Sequence, residues 1–265
     1  MPSGLLYKSG ESFFTKMPET PRTPLDTGPE GLQTRPRVTV HFAVTLDGKV
    51  STRSHTPAQF TSANDKKRLL QVRSESDAVM VAKGTLETDR MSLGIPDRVL
   101  RNERLRRGAS EEPLRVIVSA SGEIGLNLPI FQNPGAPILL YTTSKIRGPK
   151  RAELEAKIAI YEAGKEQVDL NHVLSHLFSH YQVRAVVCEG GPTLLRSLAE
   201  VDLIDRIVLT VTAKLFGGRL APTLTGLPGA FLPASRQFKL VNNEIGDNEF
   251  YLTYEHEACT RRTLL

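Results

Sequence analysis

A pair of glycines, Gly190-Gly191, lies between a predicted buried strand over 185–188 and a predicted helix from about Thr193 to Glu200. Glycine allows the backbone to approach a phosphate closely, and the start of a helix offers unpaired N–H groups and the positive end of its dipole. Pro192 suits the first helical position, and the Thr193 hydroxyl can add a hydrogen bond. The pattern is equally compatible with a tight turn that needs glycine only for its geometry, and it lacks the G-x-G-x-x-G spacing of a standard dinucleotide site.

Acidic and hydroxyl side chains follow two of the predicted strands. Glu189 stands directly after the strand over 185–188, at the edge where ligands of open α/β sheets bind. Its carboxylate could accept a hydrogen bond from a ribose hydroxyl or a ring N–H, and a helix cap or an exposed acid is the alternative. Thr85 and Asp89 follow the strand over 78–82 and would share one helix face, although by themselves they indicate a capped helix start. Asp47-Gly48 indicates a turn.

Three histidines recur every four residues on a predicted helix, at His172, His176 and His180. This spacing aligns them on one helix face, where a metal could bind. Each of them lies two residues past a member of the apolar stripe of the helix, or about 200° round its axis. We therefore expect all three side chains to face solvent, and we predict no metal site.

Five arginines and one acid lie within residues 98–107, and they contribute much of the net charge of +5. Such a run is typical of a solvated helix face, and binding of a phosphate or a nucleic acid is the less favoured interpretation. A mild excess of positive charge also suits a protein that handles phosphorylated ligands. We therefore predict a small phosphorylated ligand as the partner and no dedicated nucleic-acid surface.

The composition is that of an ordinary globular protein, since 40% of the 265 residues are hydrophobic and 24% are charged. No apolar run reaches about eighteen residues, so no membrane span is predicted. The first residues lack the apolar core of a secretory signal, and the acids among them argue against a transit peptide. Two cysteines, Cys188 and Cys259, form neither a disulfide framework nor a metal-ligand pattern, so we expect a cytoplasmic protein.

Short apolar runs alternate with helical patterns from Arg37 onward. Strands are predicted over 38–44, 78–82, 114–118, 137–141, 185–188, 206–212 and 249–254. Helices are predicted from the cap at Thr61-Ser62 to about Arg73, from Leu170 to Tyr181, and from about Thr193. This alternation predicts an α/β fold with a central, mostly parallel sheet and helices on both faces.

A single domain accounts for most of the chain. Residues 1–36 are repeatedly interrupted by proline and carry few apolar side chains, so we expect an extension that is flexible or packs on a partner. Residues 37–256 form the predicted domain, and residues 257–265 form a C-terminal tail.

Taken together, these motifs resemble the pyrimidine reductases of riboflavin biosynthesis, which are the C-terminal reductase domain of a bifunctional deaminase-reductase. The resemblance runs from about Arg37 to Tyr254 and rests on order and spacing as well as on residue types. Its matching segments are 43–49, 61–62, 73–74, 77–79, 84–85 with Asp89, 189–191 and 201–205. It implies a dihydrofolate-reductase-like, three-layer fold with a mixed, mostly parallel sheet. The motifs of the zinc deaminase half do not occur in this sequence.

The resemblance implies a reductase that uses NADPH and passes hydride to C1′ of a ribosylamino-pyrimidine 5′-phosphate, so that a ring-opened ribose becomes a ribityl group. The implied NADPH contacts are Ala43, Thr85, Asp89, Gly190, Gly191, Pro192, Thr193 and Leu194. The implied substrate contacts are Arg73, Leu93 and Glu189, and we add His41 and Arg98 as further candidate substrate contacts. Asp47 and Glu189 are the candidate catalytic carboxylates, and a homodimer is implied as well.

The sequence departs from the family pattern mainly on the substrate side. His41 stands where a lysine is usual, and Pro57 and Gln59 stand where a serine and a tryptophan are usual. Arg90 and Pro96 interrupt the usual D-[DN]-P-x-L-T-x-R run, and Arg98 is the candidate replacement for its last arginine. Two other functions therefore stay open: reduction of another heterocycle such as a dihydropteridine, and NADPH binding without turnover.

Overall fold

The computed structural model of the protein describes residues 33–51, 60–226 and 231–257. Pro57, Gln59, Cys259 and most of the predicted extension and tail lie outside these residues. The described strands are β1 (Arg37–Thr45), β2 (Ala78–Ala82), β3 (Leu114–Val118), β4 (Ile138–Thr142), β5 (Ala159–Glu162), β6 (Ala185–Cys188), β7 (Arg206–Thr212), β8 (Phe238–Gly246) and β9 (Glu249–His256).

These strands form one sheet in the order β5-β4-β3-β2-β6-β1-β7-β9-β8. Strands β1 to β7 pair in parallel, and β9 pairs antiparallel with both β7 and β8. The predicted mixed, mostly parallel sheet is confirmed. All seven predicted strands are present, because strands buried on both faces leave continuous apolar runs in the sequence.

The sequence prediction missed two strands, β5 and β8. Strand β5 is a short edge strand whose residues are only partly buried, so it leaves no apolar run. Strand β8 lies at the other edge, is exposed along most of its length, and carries an irregularity between Leu240 and Asn242. Neither continuous burial nor regular alternation marks such a strand.

The helices of the described chain cover both faces of the sheet. They are α1 (Ala63–Glu75), α2 (Lys83–Asp89), α3 (Arg98–Arg106), α4 (Pro129–Gln132), α5 (Gly148–Glu155), α6 (Leu170–Tyr181) and α7 (Pro192–Glu200). The predicted helices α1, α6 and α7 are confirmed, and Ser62 caps α1 by accepting a hydrogen bond from Asp65 N. Within the described residues, no helix is both long and apolar enough to cross a membrane.

Two apolar clusters hold the layers together. On one face, Val38, Val40 and Phe42 of β1 pack with the buried leucines of α6 and α7. On the other face, Val79 and Val81 of β2 pack with side chains from the elements and loops between β2 and β5. Alternate residues of each strand thus pack into the apolar clusters on opposite faces of the sheet. The ends of the strands lie outside this packing and can contribute residues to a site.

The arginine run over 98–107 does not form a uniformly solvated face, so that prediction is wrong in part. Arg104 is 1% exposed and donates hydrogen bonds to the carbonyl oxygens of Arg73, Ser74 and Ser76. Arg107 donates a further bond to Ser74 O. These two side chains satisfy the last carbonyls of α1, which have no partner within their own helix.

The prediction that all three histidines of α6 face solvent is wrong for His176. His172 and His180 are exposed, whereas His176 is half-buried and shares a 2.8 Å hydrogen bond between its Nδ1 and the hydroxyl of Tyr141. Burial lowers the pKa of His176, and its two histidine neighbours lower it further. Among the described residues, no group of three His, Cys, Asp or Glu side chains is arranged to hold a metal ion.

Candidate active site

The carboxyl ends of β1, β6 and β2 meet at one edge of the sheet, because these three strands are parallel neighbours. Val40 and Met80 flank Cys188 in the register, so Glu189 emerges between the two outer strands. The chain leaves β2 towards β3 and leaves β6 through α7 towards β7, in opposite directions across the sheet. Such a reversal opens a crevice, and ligands of open α/β sheets bind there.

The diglycine turn forms one wall of this crevice. Gly190 has a φ of +117°, which favours glycine, and its carbonyl accepts a 2.7 Å hydrogen bond from Ala82 N. Gly191 is the N-cap of α7, so no capping side chain covers the first turn of that helix. A Cβ atom on Gly191 would overlap Oγ1 of Thr85. The turn and the start of α2 are therefore in direct contact, and glycine keeps the N-terminus of α7 open.

The other predicted cofactor residues differ in their position in the fold and in their exposure. Ala43 is half-buried near the end of β1, and Pro192 and Thr193 begin α7 with Thr193 exposed. Leu194 is 5% exposed and packs in the core, so only its backbone can meet a ligand. Asp89 ends α2 on the surface, and partial burial raises the pKa of its carboxyl.

Arg73 and Glu189 form a buried ion pair beside the turn. Arg73 donates from Nε and Nη2 to the two carboxylate oxygens, and both distances are 2.6 Å. Their side chains are only 8% and 3% exposed. Burial acts to lower the pKa of Arg73, but the Glu189 carboxylate outweighs it and the pKa is raised. Glu75 and Asp77 stand closer to Arg73 in the sequence, but the structure pairs Arg73 with Glu189.

Polar contacts in the first turn of helix α1 fix the orientation of the helix that carries Arg73. At its start, Ser62 donates from N and Oγ to the carboxylate of Glu249, at 3.0 and 2.7 Å. One turn later, Asp65 accepts a 2.6 Å hydrogen bond from the Thr210 hydroxyl. The fully buried positions of α1 are polar ones, including Arg73 itself, so this helix is oriented by directional bonds more than by an apolar stripe.

His41 lies one residue beyond Val40 on β1, at the same level as Glu189 on the neighbouring strand. Its side chain is 7% exposed, and its Nε2 has no hydrogen-bond partner among the described residues. Burial is the main cause that lowers the pKa of His41. Asp65 and Glu189 oppose this shift, and Arg73 and Arg68 add to it. The imidazole is therefore neutral near pH 7 in the free protein.

Asp47 connects two loops at the end of β1. It accepts hydrogen bonds from the Thr45 hydroxyl at 2.5 Å, from Phe216 N at 3.2 Å and from Gly217 N at 2.7 Å. The bond from Thr45 is the main cause that lowers the pKa of Asp47 to about 2. An aspartate in this state is ionised at neutral pH, so it can accept a proton or stabilise a charge but cannot donate a proton.

The two remaining candidate substrate contacts, Leu93 and Arg98, differ in how far their side chains are exposed. Leu93 is fully buried with a φ of +61°, so a substrate could meet only its backbone. Arg98 is exposed at the first position of α3 and makes no hydrogen bond or ion pair with the described residues. The loop that joins these two residues is fixed to the site, because Arg73 Nη1 donates a 2.6 Å hydrogen bond to Gly94 O.

The chain thus combines an α/β fold with a buried arginine–glutamate pair and an uncapped helix start at the sheet edge. Sequence comparison identifies its family. The model of the RibD C-terminal domain matches residues 36–248. A curated relative from Archaeoglobus fulgidus is 32% identical over 195 residues, which are 72% of this chain and 86% of the relative. It is named 2,5-diamino-6-ribosylamino-4(3H)-pyrimidinone 5′-phosphate reductase. The chain belongs to the RibD C-terminal domain family.

Further relatives agree with this assignment. A reductase of the same name from Methanothermobacter thermautotrophicus is 28% identical over 190 residues, which are 72% of this chain and 83% of the relative. The solved structure of Acinetobacter baumannii RibD has a TM-score of 0.69 and 21% identity, covering 84% of this chain. This chain spans only 58% of that RibD chain, so the likeness supports the fold of the reductase part alone.

Proposed function

We propose that this protein is an NADPH-dependent reductase that transfers hydride to C1′ of a ribosylamino-pyrimidine 5′-phosphate. The observation that carries the proposal is the contact between Gly191 and Thr85. Gly191 also caps α7 without a side chain, so the first turn of α7 stays uncapped close to the buried pair of Arg73 and Glu189. The names of the relatives from Archaeoglobus fulgidus and Methanothermobacter thermautotrophicus support the substrate class.

The residues at the turn fit a dinucleotide phosphate. Gly191 places no side chain over the first turn of α7, and Oγ1 of Thr85 lies where a Cβ would stand, so the first turn of α7 can donate N–H groups to the phosphate oxygens. Thr85 can add its hydroxyl from the opposite wall, and Ala43 leaves space beside the turn because its side chain is a single methyl group. NADPH, when bound, supplies the hydride; the protein contributes position and charge.

At the substrate end of the site, hydrogen bonds fix the orientation of the Arg73 side chain. Arg73 is oriented by Glu189 and by Gly94 O, and the loop that continues from Gly94 leads to Arg98. Arginine forms a bidentate fork that suits a phosphate. We infer that Arg73 and Arg98 share the substrate phosphate. Asp47 is ionised, so at the end of β1 it acts as a structural and electrostatic group and not as a proton donor.

An Arg98→Ala variant tests the phosphate site. We expect turnover efficiency with the phosphorylated substrate to fall about tenfold to a hundredfold, since one charged hydrogen bond is worth roughly 1.5–3 kcal/mol. NADPH affinity should stay unchanged, and the preference over the dephosphorylated substrate should shrink. Arg106→Ala is the matched control, because Arg106 is another exposed arginine of α3. If Arg98→Ala keeps the preference of the parent, the phosphate is held elsewhere.

We infer further that the protein is a homodimer, and an apolar face of β8 and β9 supports this. Ile245 pairs with Phe250, and Leu240 pairs with Tyr254, so the four side chains lie on one side of the sheet. Leu240, Ile245 and Phe250 are 44%, 74% and 47% exposed. Apolar surface of this kind is typical of a protein interface.

Sedimentation velocity at micromolar concentration should therefore give the mass of a dimer. Replacing both Ile245 and Phe250 with lysine should shift the protein to the monomer, because lysines would be buried without partners at the interface. Leu105→Lys is the control, since Leu105 is another exposed apolar residue but lies on α3, away from β8 and β9. A monomeric parent would contradict the dimer, and a dimeric double variant would place the interface on another surface.

A further inference from the structure

His41 brings a buried nitrogen without a hydrogen-bond partner among the described residues to the substrate end of the site. Its Nε2 has no hydrogen-bond partner among the described residues, while its side chain is only 7% exposed. A buried polar atom without a partner is unfavourable, and such atoms commonly mark a place where a ligand or a change of charge supplies the missing interaction. His41 stands level with Glu189 on the adjacent strand, and Arg73 covers that carboxylate from α1.

Binding of a phosphate would change the charges around this histidine. If a phosphate takes the fork of Arg73, as the proposed function requires, the Glu189 carboxylate loses its bidentate partner. A buried carboxylate without a cation is strongly unfavourable. His41 is the neighbouring group that can become a cation, because its imidazole is neutral in the free site and lies beside Glu189.

We propose that His41 takes up a proton from solvent when the phosphorylated substrate binds, so that its imidazolium pairs with the Glu189 carboxylate that Arg73 releases. The proposal rests on the proposed function, because it requires the phosphate to bind at Arg73. Two positive groups, Arg73 and imidazolium His41, then face two negative ones, the phosphate and Glu189. His41 in this way makes affinity depend on the charge of the ligand, and it favours a phosphorylated over an uncharged sugar.

The other charged groups around His41 fit this exchange. Asp65 and Glu189 both favour the imidazolium, whereas Arg73 and Arg68 disfavour it. Arg68 is held away by its ion pair with Glu244 and lies over the ring of Tyr251. A phosphate on Arg73 would cancel the nearer opposing charge and leave the two carboxylates to stabilise the proton. Proton uptake is therefore expected with a phosphate ligand and not with NADPH bound at the diglycine turn.

Titration calorimetry of the full chain with ribose 5-phosphate tests the proposal. At about pH 7.5 this probe is already largely dianionic, and buffers with different ionisation enthalpies report the number of protons taken up. We expect uptake of about one proton for each ligand bound, as for a histidine that passes from neutral to charged. His41→Gln should reduce the uptake to near zero and weaken binding. His176→Gln should keep the uptake of the parent, since His176 is a half-buried histidine on α6, outside the site.

Binding of ribose 5-phosphate by the parent without proton uptake would overturn the inference and leave the phosphate site standing. The same holds if His41→Gln takes up as many protons as the parent. Nitrogen NMR of the labelled parent gives a second measurement that needs no variant, because the His41 signals should change to those of an imidazolium when the probe binds. A parent that does not bind ribose 5-phosphate would instead defeat the phosphate site on which the inference rests.

Discussion

In a Gly191→Val variant, NADPH affinity is expected to fall by about a hundredfold or more, which corresponds to roughly 2.8 kcal/mol. The Cβ of a valine would overlap Oγ1 of Thr85, and its methyl groups would cover the start of α7. The phosphate would then lose hydrogen bonds that are charge-assisted and worth about 1.5–3 kcal/mol each. The fold should survive, because the Thr85 hydroxyl can rotate away from the new methyl groups. Titration of NADPH followed by its fluorescence measures the change.

Gly148→Val is the matched control for this experiment. Gly148 is exposed at the start of α5, and a Cβ added there meets no other atom within 4 Å. This variant should bind NADPH as the parent does. A folded Gly191→Val protein that binds NADPH with the affinity of the parent would remove the diglycine turn from the cofactor site.

Replacing Arg73 with alanine is expected to lower the free energy of unfolding by about 3–5 kcal/mol. The reason is the Glu189 carboxylate, whose side chain is 3% exposed and would remain buried without its cation. Replacing both Arg73 and Glu189 with methionine should restore most of this loss, since no buried charge then lacks a partner. Urea denaturation of Arg73→Met, Glu189→Met and the double methionine variant measures the coupling between the two residues.

Arg106→Ala gives the reference for a solvent-exposed arginine on α3, and its effect should stay within about 0.5 kcal/mol of the parent. The interpretation of a buried, mutually dependent pair requires the double variant to be more stable than Arg73→Ala. A loss of less than about 1 kcal/mol in Arg73→Ala would mean that water or another group already neutralises Glu189.

The parallel strands could be predicted from the sequence because burial on both faces leaves short, continuous apolar runs, as in β2 and β6. The diglycine turn could also be located, since a strand, two glycines and a proline mark the start of a helix. Strand β8 could not be predicted, because its exposed residues follow no regular alternation. Its pairing is set by β9 and by the irregularity after Leu240.

The partners within the site could not be predicted from sequence spacing. Arg73 and Glu189 are 116 positions apart, so no local spacing pattern connects them. The contact between Thr85 and Gly191 likewise depends on β2 and β6 lying side by side in the sheet. Arg104 looked like part of a basic surface, and only the packing of α3 on α1 shows that it satisfies the end of that helix. The sequence was enough to predict what chemistry a single residue can perform, but not which distant residue it contacts.

The most direct test is a turnover assay with 2,5-diamino-6-ribosylamino-4(3H)-pyrimidinone 5′-phosphate and NADPH that carries two deuterium atoms at C4 of its nicotinamide ring. We predict steady NADPH oxidation that depends on this substrate, with one deuterium recovered at C1′ of the ribityl product by mass spectrometry. NADPH binding without oxidation would indicate a cofactor-binding protein without turnover. Oxidation only with a dihydropteridine would assign another substrate. Either result would contradict the proposed function.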